Sequence, residues 1–90
     1  MMLRDGSQTQ ICCAQYLVGN TCVHAVLHAY PDGLGVRYVI VLEQKDQTET
    51  CDVGRDAQMA RELFMRVVFG GVSACTLADV AEDYLGTHFS

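Results

Sequence analysis

The chain has no tryptophan, a single proline (Pro31) and a single lysine (Lys45), and only 19% of its 90 residues are charged. The shortage of cations bears first on nucleic acid. Binding to phosphates needs clustered Lys and Arg, whereas here Lys+Arg number 6 against 11 acidic residues, for a net charge of -5. Nor are the Tyr and Phe residues interleaved with basic ones, as a base-stacking platform requires. Nucleic acid is therefore not an expected partner. A membrane is not expected either. No apolar run approaches the ~20 residues that span a bilayer, and the opening MMLRDGSQTQ reads as neither signal nor transit peptide. The expected location is the cytoplasm.

Also missing is any C-x-x-C pair. The cysteines fall at Cys12, Cys13, Cys22, Cys51 and Cys75, an odd number with no spacing typical of zinc or thioredoxin-like sites. They read as free, mostly buried thiols acting as small apolar residues. Phosphate-cradling glycine loops are absent as well: Gly33-Leu34-Gly35 precedes a strand, and Gly70-Gly71 ends a helix. No cofactor is expected.

What remains is half apolar, at 50%, which excludes disorder as the general state. A chain this short buries roughly 60–65% of its unfolded surface. One domain over residues 1–90 is expected, with a polar, frayed segment over 1–9.

Strands are expected over about 11–18, 21–30, 35–43 and 48–53. Gly19-Asn20 suits a hairpin turn, and Pro31-Asp32-Gly33 is the strongest turn signal in the chain. A tight Asp32-Gly33 turn would set Val23, Ala25, Leu27 and Ala29 opposite Leu42, Ile40, Tyr38 and Val36, a wholly apolar face. Tyr16, Ala14 and Cys12 join it from the first strand. Beyond the polar turn at Lys45-Asp46, alternation points Cys51 and Val53 inward.

After Gly54 the apolar period changes from two to 3.6. Ala60, Leu63, Phe64, Val67 and Val68 form one helical stripe over about 55–69, with Asp52 or Asp56 at its start and Gly70-Gly71 as its stop. A second helix over about 77–85 opens on Thr76-Leu-Ala-Asp79, a capping-box pattern, and is expected to end at Gly86. Strands grouped before helices indicate an α+β fold: a meander of three to four antiparallel strands with two C-terminal helices packed on one face.

Gly33-Leu34-Gly35-Val36, Cys51-Asp52-Val53 and above all Ala78-Asp79-Val80-Ala81-Glu82-Asp83-Tyr84-Leu85 resemble a family of short uncharacterised bacterial proteins. Its members close on an "hLxDVVEDFL"-like helix. The likeness covers roughly residues 22–86, with Ala81 and Tyr84 departing from the family's valine and phenylalanine. It implies a small cytosolic bacterial protein and carries no functional residue with it.

Function is read from the second sheet face. There Ile11, Leu17, Val26, Val39 and Val41 make a surface more apolar than solvent exposure favours, and they are the expected interface residues. Scattered surface valines with no role are the plainer explanation. The leading expectation is a non-enzymatic protein-interaction or regulatory module, self-associating or binding another protein. The alternative is a thiol- or metal-dependent site at Cys13, Cys22 and His24, which share a face. His24 and His28 have helical chelate spacing, but on a strand they lie about 13 Å apart and cannot share one metal. Asp79, Glu82 and Asp83 read as a helix-capping and solvated set rather than a cation site. A ligand cavity between sheet and helices ranks last, because it would consume the core of so small a domain.

Overall fold

The computed structural model describes residues 9–31 and 33–89. Four strands, β1 (Thr9–Val18), β2 (Thr21–Pro31), β3 (Val36–Gln44) and β4 (Gln47–Gly54), form one antiparallel meander in the order β1-β2-β3-β4. Two helices follow, α1 (Ala57–Gly70) and α2 (Leu77–Phe89), joined through a 3-10 turn at Ala74–Thr76. The fold is α+β, as the order of the sequence patterns indicates.

The first hairpin keeps its expected register from Tyr16↔Val23 to Cys12↔Leu27. It then shifts between Gln10 and Cys12. This bulge turns Ile11 back to the core, against which it packs. Ile11 therefore leaves the expected interface set, because an extra residue in one strand reverses which face the next side chain meets.

In the second hairpin the ladder reads Ala25↔Leu42, Leu27↔Ile40 and Ala29↔Tyr38, and it closes on Pro31↔Val36. Each β2 residue thus pairs two positions further along than a tight Asp32-Gly33 turn would allow. Asp32 itself lies outside the described residues, as do residues 1–8 of the frayed segment expected over 1–9, whereas Thr9 belongs to β1 and pairs with Ala29. A shift of two preserves every side chain's face, so alternation cannot detect it. The third hairpin turns on Lys45-Asp46, with Lys45 at φ 55, and pairs Gln44↔Gln47 through Val39↔Asp52.

The inner sheet face supplies Val23, Ala25, Leu27, Ile40, Leu42 and Val53 to the core. Met59, Ala60, Leu63, Phe64 and Val67 of α1 lie on these, and Leu77, Ala81 and Tyr84 of α2 complete the layer. Asp56 caps α1, its carboxylate accepting from the Met59 N–H at 3.1 Å. At the other end Gly71 takes the left-handed conformation (φ 63), and the Gly71 and Val72 N–H groups donate to the Val68 and Val67 carbonyls. That closure favours glycine, as the sequence suggests.

The Thr76 hydroxyl donates back to the Ser73 carbonyl at 3.1 Å. The expected stop at Gly86 is corrected: α2 runs on to Phe89. Glycine costs a helix only about 1 kcal/mol relative to alanine and ends it chiefly by turning left-handed; Gly86 is not among the positive-φ glycines.

Candidate functional site: the uncovered face of the sheet

Both helices pack on one side, so the opposite face of the sheet carries no second layer of secondary structure among the described residues. The registers arrange that face in rows. One row runs Cys13, Val26, Val41, Thr50; the next runs Gln15, His24, Glu43, Thr48; a third runs from His28 through Val39 to Asp52. Leu17 faces Cys22 at the turn end, and Tyr30 faces Arg37 at the other.

Of the expected interface residues, Val26, Val39, Val41 and Leu17 share this face, whereas Ile11 does not. Their exposure differs sharply. Leu17 is 69% exposed, Val39 and Val41 are half-buried, and Val26 is only 8% exposed at the centre of the sheet. Val26, Val39 and Val41 thus form a shallow apolar band, and the polar row Gln15, His24, Glu43, Thr48 separates it from Leu17.

An ion pair on one side and a weaker His–Glu contact on the other flank the valines. Arg37 grips Asp52 with two contacts, Nη2 to Oδ1 at 2.8 Å and Nε donating to Oδ2 at 3.0 Å. The Gly54 N–H donates to the same carboxylate at 2.9 Å. The Arg37 guanidinium therefore holds the Asp52 carboxyl below the usual range for aspartate, with the Gly54 N–H helping. His24 Nδ1 and Glu43 Oε1 stand 3.8 Å apart, with side chains 41% and 60% exposed. That pair is weak. His28 Nδ1 is buried without a hydrogen-bond partner among the described groups. The Arg37–Asp52 pair was hidden from sequence reasoning until the β3–β4 register was known, although alternation already put both side chains outward.

A depressed carboxylate adds stability above its unfolded pKa and loses it as pH falls through the folded one. Asp52→Asn should therefore cost something under ~1 kcal/mol at neutral pH, because this ion pair is partly solvent-exposed. The difference from the wild-type chain should shrink as pH falls through the folded-state pKa of Asp52, which lies below the ordinary aspartate value. Urea midpoints of both proteins at pH 7 and pH 3 measure this, and an undiminished difference at pH 3 would refute the assignment.

Cys13, Cys22 and His24 all lie on this face, but the register does not gather them. Cys13 pairs with Val26 and Cys22 with Leu17, so the two thiols sit four residues apart along the ladder, about 13 Å. Only His24 lies between them. Among the described residues no group of three His, Cys, Asp or Glu side chains is placed to hold a metal ion. All five cysteines are free, but none is fully buried: Cys13, Cys22 and Cys75 are exposed, which corrects the expectation of mostly buried thiols. Cys51, half-buried on the inner side, has its thiol pushed up by burial and then by the Asp52 charge, which disfavours thiolate. Asp79 and Glu82 are exposed on α2, with Asp79 in its first turn.

No helix is long and apolar enough to cross a membrane among the described residues. A concavity of about 470 Å³ lies on the outer side of α1, by Arg61, Met65 and Phe69, rather than between sheet and helices. No protein-family model, curated protein or solved structure matches the chain.

Proposed function

We propose that this chain is a non-enzymatic protein-interaction module that self-associates through the uncovered face of its sheet, one copy covering the other. The observation that carries this reading is the apolar row Cys13–Val26–Val41, widened by Val39, with Leu17 exposed beyond one polar row, on a face whose arginine is already neutralised by Asp52. An unpaired charge would resist removal from water, whereas an internally bonded pair resists it less.

Size is also adequate. Strands of about nine residues span ~30 Å, and four of them at ~4.8 Å spacing cover ~19 Å. Two such faces bury roughly 1,100 Å², close to the lower bound for a specific interface. Stacked about 10 Å apart, they would form a sheet-on-sheet core. Five free thiols suit a reducing cytoplasm, and the closing-helix resemblance adds a bacterial setting.

The double substitution Val39→Asp, Val41→Asp tests the reading. Both side chains are half-buried, so the fold should survive, which far-UV circular dichroism checks. The expected result is a drop in mass on light scattering coupled to size exclusion. An unchanged mass with an intact fold would remove the open face as the interface.

A further inference from the structure

The two edges of the sheet are not alike. Edge strands present unpaired backbone N–H and C=O groups, and proteins blunt them with charges, proline or short length. β4 carries Glu49 and Asp52 and lies under α2. β1 has ten residues, TQICCAQYLV, with neither charge nor proline. A β4–β4 pairing would bring carboxylates of two copies together; β1 has nothing to repel its own copy.

From this we infer that β1 pairs antiparallel with β1 of a second copy, on a two-fold axis through Gln15, joining two meanders into one eight-stranded sheet. The position of the axis follows from the strand itself. Its regular stretch runs from Cys12, where the bulge ends, to Val18, before the Gly19-Asn20 turn. The centre of that stretch is Gln15. Pairing about that centre sets Cys12 opposite Val18 of the second copy, Cys13 opposite its Leu17, Ala14 opposite its Tyr16, and Gln15 opposite its own equivalent.

Every pair then matches in kind. On the inner face Cys12, Ala14, Tyr16 and Val18 are only partly buried against the core, because the helices lie mainly over β2, β3 and β4. Each would gain an apolar neighbour. On the outer face Leu17, 69% exposed in one copy, would gain Cys13, itself exposed. Gln15 would meet an amide able both to donate and to accept. An axis perpendicular to the sheet keeps both helix layers on one side, and the two open faces become one continuous surface. The contact is isologous and closes on itself, which limits assembly to a pair at this edge.

This inference does not rest on the open-face contact, and the two fail separately. In a background carrying Cys13→Ser, Cys22→Ser and Cys75→Ser, all at exposed thiols, Gln15→Cys is compared with Thr50→Cys on β4. Mild oxidation should link Gln15→Cys chains into covalent dimers at least ~10-fold faster than Thr50→Cys chains, because only Gln15 meets its own equivalent. Because Gln15 also lies on the open face, Gln15→Lys is made in the Val39→Asp, Val41→Asp background, where setting two cations face to face should halve the remaining assembly mass with circular dichroism unchanged. Equal crosslinking of the two cysteine variants, or a Gln15→Lys change that leaves the mass of the Val39→Asp, Val41→Asp protein unaltered, would overturn the edge pairing. Val39→Asp, Val41→Asp should leave the Gln15→Cys crosslink intact.

Discussion

Leu63→Ala should lower the unfolding free energy by about 3 kcal/mol. Leu63 is fully buried in the middle of α1, with Ala60 and Val67 on the same stripe and the sheet residues Leu27, Ile40 and Leu42 in the layer beneath. Truncation removes the transfer free energy of three carbons and leaves a cavity that a two-layer core can only partly close; such changes cost 2–5 kcal/mol. Domains hold roughly 0.05–0.15 kcal/mol per residue, so a loss of this size is a large share of the total for so short a chain. The urea midpoint should fall with an unchanged slope. Leu63→Met, which conserves volume, should stay within about 1.5 kcal/mol of the parent. Equal losses from both variants would mean that Leu63 is not packed as described.

Tyr16→Phe should also destabilise the fold, with an expected loss of about 2 kcal/mol from deletion of one oxygen atom. The Tyr16 hydroxyl donates to the Val72 carbonyl at 2.6 Å. This bond ties the edge strand β1 to the segment immediately after the Gly71 cap of α1. Burial pushes the Tyr16 phenol above its ordinary pKa, which keeps the donor protonated. The phenylalanine variant keeps the ring's packing, so its deficit reports the hydrogen bond and the carbonyl left behind in a buried setting. A second tie from the sheet, the Gln44 side-chain oxygen accepting from the Ala74 N–H at 2.9 Å, remains in place. Amide exchange should therefore quicken around Val72 more than around Ala74. A Tyr16→Phe protein as stable as the parent would show that the loop is held by Gln44 and apolar contacts alone.

The sequence patterns revealed the layers better than the joints. Alternation in β2 and β3 put Val23, Ala25, Leu27, Ile40 and Leu42 on the buried side, because one face of an antiparallel sheet is paid for in apolar residues. The same alternation is blind to a shift of two, and so the β2–β3 ladder closes on Pro31↔Val36. It is equally blind to a bulge, which is how Ile11 moved from the expected interface to the core. The α1 boundaries were legible because Asp56 caps with a side-chain carboxylate and Gly71 with a left-handed backbone, roles that few residue types fill. Gly86 carried the same letter without that geometry, and α2 passes through it.

The candidate surface was legible in part. Leu17, Val26, Val39 and Val41 share the open face as alternation implied, but residue type could not show that Val26 is enclosed by its neighbours while Leu17 stands clear. The gathering of Cys13, Cys22 and His24 depended on cross-strand distance, which a shared face does not guarantee. Arg37 and Asp52 lie 15 residues apart in the chain and meet only because the Lys45-Asp46 turn fixes the third register.

The central claim, association through the open sheet face, is tested most directly by native mass spectra of the wild-type chain and of Val39→Asp, Val41→Asp under reducing conditions. The account expects the wild-type protein at a multiple of 9.9 kDa, without metal adduct, and the variant at a smaller multiple. A wild-type monomer, or a variant that keeps the wild-type mass while folded, would contradict it.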